Sequence, residues 1–130
     1  MSDQASIEFD GSDLLAQLQR SDDDVLDALQ IGVIGFDDQG VVCRYNAFES
    51  RMAGLSRERV VGHPLFTVVA PCMNNYMVAQ RFDDSAAAGQ ALDATIDYVL
   101  TLRMRPVKVK LRLLAEPGHP TRYVVVQRNV

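Results

Sequence analysis

The spacing of apolar residues changes character near Ile31. Before it, Leu14-Leu15-Ala16-Gln17-Leu18 reads as a short helix that Ser12 or Asp13 can cap. Val25, Leu26 and Leu29 then recur at helical spacing behind Ser21 and three aspartates, which place negative charge at the favourable end of a helix dipole. Helices this short are not stable alone and must borrow packing from the rest of the chain. The pattern therefore predicts an N-terminal helical cap over residues 1–30 that can detach at modest cost, and a core over residues 31–130.

From Ile31 the pattern turns strand-like. Ile31 to Phe36 and Val41 to Tyr45 flank the turn Asp37-Asp38-Gln39-Gly40 and predict a hairpin. Asn46 can cap a short helix ending near Gly54, and Ser56 a second ending near Gly62. His63-Pro64 then breaks the chain, and Ala70-Pro71-Cys72 reads as a loop or helix end. Apolar residues at Tyr76, Met77, Ala79 and Phe82 fit one longer helix from Asn75 to Ala88, closed at Gly89. Three further strands are expected, at Ala94–Met104, Val107–Leu114 and Tyr123–Gln127. The strict alternation from Val107 to Leu113 predicts one wet face, carrying Lys108, Lys110 and Arg112, and one buried face. The expected class is α+β, a five-stranded antiparallel sheet with helices on one side, in the element order of PAS sensor domains.

Composition narrows the function. The 130 residues suit one domain, and 48% hydrophobic with 23% charged residues is ordinary for a globular protein. A net charge of −4 argues against nucleic-acid binding, and no apolar run reaches the ~20 residues of a membrane helix. The polar, acidic start is not a secretory signal, so a cytoplasmic location is expected. Cys43 and Cys72 set no disulfide framework, and His63 and His119 belong to no metal-ligand spacing. Common hydrolase and nucleotide motifs are missing, so enzymatic turnover is not expected.

One constellation stands out. Cys72 lies 27 residues after Tyr45, and Glu49 follows Tyr45 by four, across the start of a helix. That spacing lets a phenol and a carboxyl group converge on one point, with a thiol brought in by the fold. A free cysteine is more often a small buried hydrophobe, and a helix-surface glutamate is usually solvated. Cys43, two residues before Tyr45, reads as core packing on the same strand face.

The segments Tyr45-Asn46-Ala47-Phe48-Glu49, Val61-Gly62, Val69-Ala70-Pro71-Cys72, Met104 before Pro106-Val107-Lys108-Val109-Lys110, and Val124-Val125-Val126-Gln127-Arg128 together resemble the photoactive yellow protein family. These are bacterial light receptors with a PAS fold, and the resemblance runs from about Asp24 to the C-terminus. It implies that Cys72 carries p-coumaric acid (4-hydroxycinnamic acid) as a thioester, and that Tyr45 and a protonated Glu49 hydrogen-bond its phenolate. Ala70 and Pro71 would line the site, with Met104 beside the chromophore or simply filling the core. Two positions depart from the family: Ala53 stands where a threonine usually supports the tyrosine, and Leu55 replaces a shielding arginine, with Arg57 two residues on. The implied cycle is trans–cis isomerisation, proton transfer from Glu49 and release of the N-terminal cap to an unknown downstream signalling protein. A monomer or weak homodimer is expected. The rival reading is a chromophore-free PAS interaction module; a haem or flavin pocket is a weaker third.

Overall fold

The computed structural model describes residues 7–101 and 106–128. Five strands, β1 (Gly32–Phe36), β2 (Val42–Tyr45), β3 (Leu92–Leu100), β4 (Val107–Ala115) and β5 (Arg122–Arg128), form one antiparallel sheet in the order β2-β1-β5-β4-β3. The C-terminal strand therefore lies at the centre of the sheet. This is the α+β PAS architecture expected from the sequence.

The two faces of the sheet have separate cores. On the inner face, Ile34, Phe36, Leu111, Leu113, Val124 and Val126 pack with Val60 of α4 (Arg57–Val60) and Phe82 of α5 (Ala79–Ala88). Phe36 meets Phe66 and Phe82 edge-on, with ring centroids 5.4 and 4.9 Å apart. On the outer face, Val33, Leu114, Tyr123 and Val125 pack with Phe9 and with Leu14, Leu18 and Leu26 of α1 (Leu14–Arg20) and α2 (Asp23–Asp27). Helices thus cover both faces rather than one.

Two arginines fasten the N-terminal segment. Arg44 donates to the carbonyls of Leu18 and Ser21, at 2.9 and 2.6 Å, and to the Tyr123 hydroxyl at 3.0 Å. Arg112 donates to the carbonyls of Phe9 and Gly11, at 2.9 and 2.7 Å, and grips the Asp93 carboxylate with two nitrogens. The alternation in β4 is consequently interrupted: Lys108 and Lys110 are wet, but Arg112 and Leu114 are buried under the cap.

Local chemistry moves other expected boundaries. The Asp22 side chain, not Ser21, caps α2 by accepting from the Val25 amide at 2.9 Å; the Ser21 hydroxyl bonds back to the Gln17 carbonyl. The helix expected from Asn75 begins at Ala79, because the Asn75 carboxamide accepts from the Met77 and Val78 amides and holds a turn there. Cys43 is exposed rather than in the core: the register shifts between Gly35 and Phe36, pairing Gly35 with Arg44 but Phe36 with Val42. The bulge leaves Cys43 over and turns it outward, while Val42 and Tyr45 stay buried.

Candidate functional site

The short helix α3 (Ala47–Ala53) is positioned by Asn46, whose carboxamide oxygen accepts from the amides of Glu49 and Val33 at 3.1 and 3.0 Å. Its nitrogen donates to the carbonyls of Leu26 and Ile31 at 2.8 and 2.9 Å, so one buried side chain joins α3, β1 and the cap. Asp27 strengthens this seam by accepting from the Ala47 amide and from Arg57. Gly54, with φ of 72°, closes α3 in the left-handed conformation glycine favours.

This start directs Glu49 inward, over β1 at Gly32. A Cβ at Gly32 would overlap the Glu49 carboxylate, so the glycine makes the room. Both Glu49 oxygens are held by Arg128 of β5, at 2.5 and 3.0 Å, with side-chain exposures of 2% and 7%. Burial pushes the Glu49 carboxyl above its ordinary range, and the Arg128 guanidinium pulls the other way. Tyr45 is buried in the inner core, and burial, with the nearby charge of Glu49, pushes its phenol well up. The Glu49 charge therefore acts on the Tyr45 phenol, but no hydrogen bond joins the two side chains. The carboxyl group, however, is already engaged by a cation 79 residues away in sequence.

Cys72 reaches the same core from a different direction. A π-helical turn (Leu65–Val69) and a 3-10 turn (Pro71–Met73) meet at Ala70, whose φ and ψ of −138° and 69° turn the chain between them. The Cys72 carbonyl accepts from the Tyr98 hydroxyl at 2.5 Å and from the Asn75 carboxamide at 3.2 Å, which pins the loop to β3. The half-buried Cys72 side chain packs with Leu55, Phe66 and Val69 against the cluster that contains Tyr45 and Ala70. A cavity of about 610 Å³ lies beside Tyr98, lined also by Met77 and Val109.

Thus Cys72, Tyr45, Ala70 and Leu55 share one apolar cluster, and the buried Glu49 acts electrostatically on its Tyr45. Ala53 is buried on α3, where its methyl offers Tyr45 no hydroxyl. Pro71 is exposed and turns away from the core. Arg57 does not stand in for the cation missing at Leu55, since it bonds the Tyr45 carbonyl and Asp27. Met104 lies outside the described residues. Arg128, Tyr98 and Gly32 had no local signal; each acts through a partner distant in sequence or through the absence of a side chain.

Residues 26–130 match the PAS fold family. Photoactive yellow protein from Rhodothalassium salexigens is 30% identical over 122 residues, covering 94% of this chain and 97% of the relative. The chain belongs to the photoactive yellow protein family. The protein of the same name from Halochromatium salexigens matches at the same identity and coverage. Among solved structures, the photoactive yellow protein domain of the sensor histidine kinase Ppr from Rhodospirillum centenum is similar with a TM-score of 0.78. It is 38% identical, covering 87% of this chain and 98% of that domain. The RpfR quorum-sensing receptor PAS domain of Cronobacter turicensis, 14% identical with a TM-score of 0.60, shares the fold. Among the described residues no helix is long and apolar enough to cross a membrane, and no group of three or more histidine, cysteine or acidic side chains could hold a metal.

Proposed function

We propose that this chain is a photoreceptor domain carrying 4-hydroxycinnamic acid as a thioester on Cys72. One observation carries the reading: a half-buried thiol and a buried phenol pack on one apolar cluster, with a buried carboxyl group whose charge acts on the phenol, in a member of this family. These groups fit a flat hydroxyaryl acyl chain, with a nucleophile for its carbonyl, apolar walls for its ring and polar side chains for its hydroxyl. In attachment, the Cys72 sulfur attacks the carbonyl of an activated acyl donor. The S–C bond forms, the bond to the leaving group breaks, and the thiol proton departs.

When bound, the group supplies visible absorption and a double bond whose light-driven isomerisation changes its shape. Tyr45 offers an O–H donor to the phenolic oxygen, and Glu49 adds a second only while it carries a proton. When Glu49 gives up that proton, Arg128 is already in place as its partner, so the new charge is less costly than an unpaired one. Release of the cap, which a downstream signalling protein would read, then runs through α3. Movement of Glu49 strains Asn46, and Asn46 holds the carbonyls of Leu26 and Ile31.

A chromophore-free interaction module is the second reading, favoured by the Glu49–Arg128 pair, which satisfies the carboxylate without any ligand. Incubating the protein with an activated hydroxycinnamoyl donor decides between them. The expected result is a visible band and the mass of one acyl adduct, both absent in Cys72→Ser. A colourless protein of unchanged mass would leave the interaction module.

A further inference from the structure

The sheet ends at β3, and this edge lacks the devices that keep an exposed strand from pairing. Among the described residues no strand lies beyond it, so every second residue from Leu92 to Leu100 turns an N–H and a C=O away from β4. Exposed edges are ordinarily blunted by a bulge, a proline or an unpaired charge, above all lysine. β3 pairs with β4 without a shift in register, and it contains neither proline nor lysine. Its two charges, Asp93 and Asp97, are each held by a cation of β4, Arg112 and Lys110, both at 2.9 Å. The edge is therefore regular and already neutralised. Its inner-facing Ala94 and Ile96 are apolar yet only half-buried, because the core runs out before the sheet does.

We propose that β3 is a docking edge for a second copy of this chain, joined antiparallel about Ile96 so that two five-stranded sheets run on as one. The sequence of the strand selects this partner. Ile96 is the middle of Leu92–Leu100, so pairing about it uses the full strand. Leu92 then faces Leu100 of the second copy, Ala94 faces Tyr98, and Ile96 faces its own counterpart, all on the inner side. On the outer side Asp93 faces Val99, and Asp97 faces Thr95, whose hydroxyl can donate to the carboxylate. No aspartate faces an aspartate. Sliding the two-fold centre by one residue breaks this in either direction: about Thr95 it sets Asp93 against Asp97, and about Asp97 it sets that residue against itself. Like charges directly opposite are unfavourable, so the register with the longest overlap is also the one free of repulsion. An edge pairing buries little area, so the dimer is weak and depends on concentration. It also brings Ala94 of the second copy beside Tyr98, whose hydroxyl holds the Cys72 carbonyl.

Sedimentation equilibrium of the full chain, with and without the acyl group, tests the proposal independently of the photoreceptor reading. Association is expected between about 10 µM and 1 mM. A monomer throughout that range would overturn the proposal and leave the edge to some other extended segment. In the wild type, amides of Leu92–Leu100 should exchange more slowly at the higher concentration; equal rates in a dimer would place its contact elsewhere. Thr95 is exposed, so substitutions there spare the core. Thr95→Asp sets an acid against Asp97 twice across the two-fold axis and should weaken the dimer about three- to tenfold. Thr95→Lys supplies two opposite-charge pairs instead and should tighten it by about the same factor. In any other antiparallel register residue 95 does not face Asp97. Indifference to both changes would reject the β3 edge, and weakening by both would reject pairing about Ile96.

Discussion

Both faces of the sheet are covered by helices, more on the inner face than on the outer, and the two are fastened in opposite ways. The outer face is closed by an apolar cluster plus two arginines that together hold four backbone carbonyls of residues 9–21. The inner face is closed by a larger apolar cluster, and its buried cation is spent on one side chain, Glu49. A carbonyl cannot gain or lose a proton near neutral pH, whereas a carboxylate can. The outer face is therefore a fixed fastening and the inner one is adjustable. The N-terminal segment has short helices, but the polar side chains of Arg44, Asn46 and Arg112 tie it to the sheet and to α3.

The contrast can be broken most severely at its adjustable end. Glu49→Gln strands a buried guanidinium, and urea unfolding should register a loss of about 3–5 kcal/mol. Pairing it with Arg128→Met should recover most of that loss. If the two losses simply add, the ion pair is not the fastening described. Next comes the outer core: Leu18→Ala, fully buried, should cost about 3 kcal/mol by leaving a cavity. In the loaded protein it should speed hydrogen exchange over residues 9–27 and leave the absorption band in place. A shifted band would mean the faces are not separate.

Asn46→Ala tests the link between them. It removes four hydrogen bonds and should cost about 2 kcal/mol, given partial replacement by water. Illumination should then no longer change exchange at Leu26 and Ile31; an unaltered light response would place the route elsewhere. The smallest effect is expected at Asp93, half exposed, where the Arg112 guanidinium holds the carboxyl below its ordinary range. A depressed native value means the pair contributes stability above the unfolded value of about 4 and loses it as pH falls through the native value. Asp93→Asn should cost up to about 1 kcal/mol at pH 7 and weaken the acid dependence of unfolding below about pH 4. An unchanged acid limb would remove Asp93 from the fastening.

What could be read from the chain depended on how local each cause was. Asn46 and Gly54 mark the ends of α3 because capping acts within one turn, and the hairpin of β1 and β2 announces itself through Gly40. Tyr45 and Glu49 were legible as a pair for the same reason. Cys72 needed the family resemblance, since nothing nearby distinguishes a reactive thiol from core packing. The bulge that exposes Cys43 was invisible, because alternation is counted along one strand while register is set by two. The burial of Arg112 and the engagement of Glu49 by Arg128 were equally hidden. Each depends on segments that meet only after the sheet has formed, and an arginine in an alternating strand looks the same whether water or a carboxylate waits above it.

The Asn46 side chain has a consequence for how this chain can vary. Its amide has two places to accept and two hydrogens to give, and all four are used by partners from three different segments. Aspartate would turn the same shape into an anion facing two carbonyls, leucine would silence all four bonds, and glutamine would overshoot by a methylene. No single-letter change is therefore conservative at this position. A lineage that abandons asparagine here must rebuild the cap, the first strand and the first inner helix together, so the residue doubles as a mark for telling which relatives still share this wiring.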